Sequence, residues 1–190
     1  MYTNTRFADL LKGLPRPLFE KYVRQLQADK HCKGFRAWDQ MIALIFAQIS
    51  RASSLREIET SFNSQKPRHY HLGTRTIRRS TLADANKKRP AALFEALCQH
   101  LMAQLNRTTR HDLQEFLYLL DSTPIPLKGL GYDDWTKDNH NHRTQGLKIH
   151  MQITSDTKTP CRATITAPNV NDIEIGRNTP IAPGQTLYLS

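Results

Sequence analysis

A chain of 190 residues, 38% of them hydrophobic, has room for one domain or two small ones with modest cores. Its net charge of +10 is uneven: residues 1–110 carry 20 Lys/Arg against 8 Asp/Glu, and residues 111–190 carry 7 against 9. Cys32, Cys98 and Cys161 are too few and too far apart for a disulfide framework or a cysteine zinc site; the start MYTNTRFADLL is no signal peptide, and the longest apolar run, residues 41–49, cannot span a bilayer, so a soluble, cytoplasmic protein is expected. The basic front half points to a nucleic-acid partner, and a solvated Lys/Arg-rich surface is the plain alternative.

Residues 1–110 read as helices. Pro15 and Pro17 open LFEKYVRQLQ, where Leu18, Tyr22, Gln25 and Leu26 share a helical spacing. Over 35–50, Trp38, Met41, Ile42, Ile45 and Ile49 fall on one stripe, the mark of a helix that buries one face. Ser54-Leu-Arg-Glu57 reads as a capping box that starts a helix through Phe62. Pro90 suits a first turn, and Leu93, Leu97, Leu101 and Leu105 follow at every fourth position.

Between these helices lies KPRHYHLGTRTIRRSTLADANKKRP, residues 66–90. Gly73 marks a turn, and Ser80 or Thr81 is placed to cap the short helix TLADAN, which gives the outline of a helix-turn-helix. Arg68, Arg75, Arg78, Arg79, Lys87, Lys88 and Arg89, with the hydroxyls of Ser80 and Thr81, suit phosphate contacts and are the candidate DNA-binding set. Many helical bundles share this outline, so a solvated helical face stays open.

After residue 111 the period changes. FLYLLD is a continuous apolar run, as in a strand buried on both faces. Leu147, Ile149, Met151 and Ile153 alternate with Lys148, His150, Gln152 and Thr154, which predicts a half-buried strand with the apolar set inward. CRATITA alternates again across the turn SDTKTP, NVNDIEIGRN makes a helix or a turn, and TLYLS begins a last strand. NRTTRHDLQE, 106–115, is the candidate linker. Asp121, closing FLYLLD, is either the former of a Ser122-Thr123-Pro124 turn or a metal ligand on a rigid strand. Asp133, Asp134 and Asp138 read as a solvated loop, and His69/His71 and His140/His142 lack the third ligand that a zinc site needs. Trp38 reads as core, and Trp135 as a packing or base-stacking residue.

FLYLLDSTPIPL, RTQGLKIHMQI, TAPNVNDIEIG and GQTLYL, in that order, resemble the catalytic core of bacterial DDE transposases of the insertion-sequence-four group. FRAWDQMIALIFAQIS, SLREIE and HLGTRTIRRSTLADANKKR are similar to the helical domain that precedes that core. The resemblance implies an N-terminal all-α, helix-turn-helix-like bundle over 1–110 and an incomplete RNase H-like α/β domain over 111–190. In that family, an aspartate on the first strand, another just after the fourth and a glutamate on a later helix bind two divalent metals, Mg²⁺ or Mn²⁺. Carried over, Asp121 is the first of these, catalytic and metal-binding; the second is expected just after TLYL, where the 190 residues stop. Asp172 matches a recurrent family position that is not a metal ligand; Arg143, Gly146, Lys148 and His150 match the second-strand pattern, with Lys148 and His150 as DNA-backbone or near-site groups.

The resemblance thus implies a truncated transposase that binds DNA at element terminal repeats, as a homo-oligomer or mixed with an intact copy, without a membrane. It would hold no metal tightly and neither cleave nor transfer strands. The competing expectations are a stand-alone DNA-binding regulator or inhibitor of transposition, and a pseudogene product that scarcely folds.

Overall fold

The computed structural model describes residues 6–109, 117–127, 134–136, 145–155 and 157–189. The chain divides into two compact units, Met1–Leu97 and Cys98–Ser190, and the division falls inside a helix.

Unit 1 is helical. It holds α1 (Arg6–Leu11), α2 (Arg16–Gln25), α3 (Ala37–Ser50), α4 (Leu55–Asn63), a 3-10 turn (Lys66–Arg68), α5 (His69–Leu72), α6 (Arg79–Lys88) and the first half of α7 (Ala92–Thr109). Its core is built from Phe19, Met41, Ile42, Ile58, Phe62, Ile77, Leu82, Leu93 and Leu97. Phe19 meets Trp38 edge-on and Phe46 meets Phe62 edge-on, with ring centroids 5.8 and 5.3 Å apart.

The stripe on α3 is rotated from the expected one. Met41 and Ile42 are buried, but Ile49 is exposed, and Asp39, Gln40, Ala43 and Ala47 complete the inward face. The small alanines admit neighbours closely, and the two polar residues are buried because each is hydrogen-bonded. The α4 cap forms in part as expected. Ser54 Oγ accepts from the Glu57 N–H, whereas the Glu57 carboxylate reaches back to the N–H and hydroxyl of Ser53, one residue earlier than a reciprocal box requires. Those two Ser53 bonds hold the Glu57 carboxyl below its ordinary range.

Unit 2 is a mixed sheet with one helix laid on it. Strands β1 (Leu117–Pro126), β2 (Gly146–Thr154), β3 (Pro160–Thr166) and β4 (Thr186–Leu189) stand in the order β3-β2-β1-β4, with α8 (Asp172–Asn178) between β3 and β4 in sequence. β1–β2 and β2–β3 are antiparallel, and β4 joins β1 in parallel. α8 starts because Asn171 accepts the Glu174 N–H at its first turn. The second half of α7 touches β3 through Gln99, which donates to the Ala163 carbonyl. α7 also runs on to Thr109, so the expected linker begins as helix.

Three strand expectations need correction. β1 continues five residues past Asp121, so Ser122, Thr123 and Pro124 extend the strand and form no turn. β1 is not buried on both faces: Tyr118 and Leu120 are buried, whereas Leu117 and Asp121 are exposed. On β2 the polar row is the more deeply buried one, with His150, Gln152 and Thr154 nearly inaccessible while Leu147, Ile149, Met151 and Ile153 are only half-buried. The reason lies in the partners on that face: Asp172 of α8 binds His150 and Ser122, Thr166 of β3 meets the other His150 nitrogen, and Thr154 bonds Thr157 and Thr159. Gly176 lets the helix come close: a Cβ there would stand 2.9 Å from Leu189 Cδ2.

Candidate functional site

Unit 1 fixes its basic segment before α6 begins. Asn63 clamps the extended residue Ile77 with both ends of its amide, donating to the Ile77 carbonyl and accepting its N–H. Leu82 and Ala85 then bury the inner side of α6. This leaves Arg75, Arg78, Arg79, Ser80, Lys87 and Lys88 exposed and Thr81 half-buried. Arg68 is half-buried and donates to Gln65. The helix starts at Arg79 with Arg78 as its N-cap and no side-chain capping bond, so Ser80 and Thr81 lie inside the first turn and do not cap it. The helix start thus carries Arg78, Arg79 and Ser80 next in sequence to N–H groups that the N-cap side chain leaves free, a composition that suits an anionic oxygen.

Arg89 is a correction to the expected DNA-binding set. Its side chain is 5% exposed and pairs with Asp29 at 3.0 Å. It also donates to the Ala28 and Phe35 carbonyls and to Gln40 Oε1, and lies over the Phe35 ring. Gln40 in turn donates to Asn86 Oδ1. Arg89 is thus a buried tie within unit 1, its donors turned away from any phosphate.

In unit 2, Asp121 is exposed on the sheet face opposite His150 and Ser122, because successive side chains of β1 point to opposite faces. Its Oδ1 accepts the Ser122 N–H at 2.7 Å. Leu120, the neighbour of Asp121 on β1, lies opposite Leu189 in the parallel pair. Among the described residues no group of three His, Cys, Asp or Glu could hold a metal ion, so Asp121 fits a metal only as a contributor to a larger set.

On the covered face, Asp172 of α8 gathers three side chains. His150 Nδ1–H donates to Asp172 Oδ1 at 2.6 Å, Ser122 Oγ donates to Oδ2 at 3.0 Å, and Lys148 Nζ lies 4.0 Å from Oδ2. His150 Nε2 meets Thr166 Oγ1 at 2.8 Å, and Lys148 donates to the Val170 carbonyl. Burial raises the Asp172 pKa, but the Ser122 and His150 bonds and the Lys148 charge outweigh it, and the carboxyl sits below its ordinary value. This is no nucleophilic triad: Ser122 bonds the carboxylate directly, and both ring nitrogens of His150 are occupied. His150, 1% exposed, is therefore a second correction, since a DNA backbone cannot reach it. Lys148 is likewise turned toward α8.

Sequence reasoning singled out Asp172 but missed Ser122 and Thr166 as its companions. The one available signal is the alternation that puts Ser122, His150 and Thr166 on polar positions of neighbouring strands. The His69/His71 pair is split: His69 is buried, stacked on Phe62 with Nε2 donating to the Phe62 carbonyl, and His71 is exposed. Trp135 is half-exposed in the 3-10 turn Asp134–Thr136. Asp133, Asp138, His140, His142 and Arg143 lie outside the described residues.

Comparison with known proteins gives matches in both units. Residues 114–184 match the family described as "Transposase DDE domain", and residues 2–75 match the one described as "Domain of unknown function (DUF4372)". Over 105 residues the chain is 44% identical to the "Putative transposase y4zB" of Sinorhizobium fredii (strain NBRC 101917 / NGR234). That stretch is 55% of this chain and 28% of the relative. No solved structure matches.

Proposed function

We propose, from the relation of this chain to the DDE transposase family, that it serves DNA transposition, with unit 1 gripping DNA and unit 2 presenting the first metal-binding carboxylate. The observation that carries the first half is the exposed basic segment Arg75, Arg78, Arg79, Ser80, Lys87 and Lys88, fixed by Asn63 and flanked by an uncapped helix start. Thr81 and Arg68, both half-buried, stand at its edges. A transposase must hold its element ends, and phosphate contacts of this kind position the duplex without reading its bases.

The second half rests on Asp121. It is exposed and mid-strand, one residue past Leu120, which pairs with Leu189 of β4. The DDE family uses divalent metal, Mg²⁺ or Mn²⁺, held by a set of carboxylates; in the resemblance these are two aspartates and a glutamate. Asp121 is the member of that set on these residues, and a chain carrying all three carboxylates would cleave and join strands.

The test is a binding assay with the 190-residue protein on labelled duplexes that include the terminal repeats of an insertion element. Retarded complexes that persist in Asp121→Asn and weaken in Arg78→Ala/Arg79→Ala are expected. No complex at low salt would sink the proposal.

A further inference from the structure

Unit 1 has a second concave surface, which adjoins the basic segment and shares Arg75 with it. A cleft of about 560 Å³ is lined by Arg16, Arg36, Trp38, Asp39, Tyr70, Gly73, Thr74 and Arg75. Tyr70 stands on its rim with 87% of its surface exposed, and its one ring contact is edge-on to the neighbouring His71. Both faces of an aromatic ring that stands so far into water have no packing role in the fold.

The charges around it are arranged for an anion. Arg36 and Arg75 are exposed and have no ion pair among the described residues. Arg16 is held in place, its guanidinium 4.7 Å over the Trp38 ring and its Nε bonded to Glu20. The acidic residue of the lining, Asp39, is 4% exposed, and its two oxygens accept the Arg36 N–H and the Thr74 hydroxyl. It organises the wall and offers no free oxygen to repel a phosphate. Gly73, at φ +61°, lets the Arg16 guanidinium come close: a Cβ there would meet Arg16 Nη1 at 2.4 Å.

We infer that this cleft binds a segment of single-stranded DNA, with one base stacked on Tyr70 and the flanking phosphates on Arg36 and Arg75. The choice of single over double strand follows from Tyr70. In a duplex the base faces are hidden in the stack, and an exposed ring has no π-face to meet; an unpaired base offers one. Arginine forks then hold the backbone on either side. This inference rests on the DNA reading of unit 1 and adds to it an adjoining site, which shares Arg75, and a preferred form of DNA.

The experiment measures fluorescence anisotropy of the full chain with a labelled 12-nucleotide single strand and with the matching duplex. Tyr70→Ala, Tyr70→Phe and Arg36→Ala are compared with Arg78→Ala/Arg79→Ala. Tyr70 and Arg36 are exposed, so none of these changes should unfold the protein. Tyr70→Ala and Arg36→Ala should weaken the single strand by roughly tenfold, in line with one lost base stack, and leave the duplex within about twofold. Tyr70→Phe should bind as the parent does, and the α6 double variant should fall mainly on the duplex. Unchanged single-strand affinity in Tyr70→Ala, equal losses on both forms, or duplex binding with no single-strand binding would each overturn the cleft while leaving the DNA reading intact. Binding to neither form would overturn both.

Discussion

Arg89 and its neighbours Lys87 and Lys88 share a run of like charge and do opposite work. Lys87 and Lys88 face water, whereas the Arg89 guanidinium is enclosed by Asp29, Gln40 and two backbone carbonyls. A planar fork with five donors suits such a hub better than a lysine ammonium, which cannot satisfy acceptors in several directions within one plane. Removing it strands the Asp29 carboxylate, 25% exposed, and a buried amide. Arg89→Ala should therefore lower unfolding free energy by about 3 kcal/mol, and Arg78→Ala by less than about 0.5, in urea titrations. Equal, small effects would show that Arg89 does not hold unit 1 together. Sequence could not separate these residues, since burial depends on where Asp29 and Phe35 arrive, more than fifty residues earlier in the chain.

At the scale of elements, α8 is a short helix that packs on Leu189 of β4 at Gly176 and is tied to two further strands by one carboxylate. Asp172 binds Ser122 on β1 and His150 on β2, so a single side chain joins a helix to two strands. Its depressed pKa has a definite sign. The folded value lies below the unfolded value of 3.8, so the stabilisation is complete above that value and is lost as pH falls through the folded pKa. Hydrogen exchange followed from pH 6 down to pH 3 should show residues 172–178 losing protection toward the acid end, and Asp172→Asn should remove that dependence. Flat protection across the range would contradict the attachment. The alternation of β2 was legible in sequence, but the buried side was not, because polarity predicts exposure only when no partner is at hand.

At the scale of the whole molecule, the charge asymmetry becomes a statement about DNA. A protein that neutralises phosphates releases counterions, so affinity for duplex should fall steeply with salt. Each arginine that contacts a phosphate contributes roughly 0.9 to the slope of log K against log salt. Arg78→Ala/Arg79→Ala should reduce that slope by about 2, measured by titration of the full chain with duplex across salt concentrations. Arg51→Ala, an exposed arginine at the end of α3, should leave it unchanged. A slope equally reduced by both would mean diffuse attraction to a basic unit and no defined face. Among the described residues no helix is long and apolar enough to cross a membrane.

The amino-acid sequence by itself determined the helical character of unit 1, the strands of unit 2 and the basic segment over 66–90. These follow from local periodicity, capping residues and composition, which act over a few residues. Asp121 stood out through the family resemblance, since its local pattern left a turn-former equally open. Only the tertiary structure decided that Asp121 sits mid-strand on one sheet face while Asp172, His150 and Ser122 meet on the other. It alone turned Arg89 inward and brought Arg16, Arg36, Tyr70 and Arg75 around one cleft. The physical reason is the same in each case: burial and charge pairing are set by contacts between residues far apart in the chain, and no local pattern encodes which distant partner will arrive.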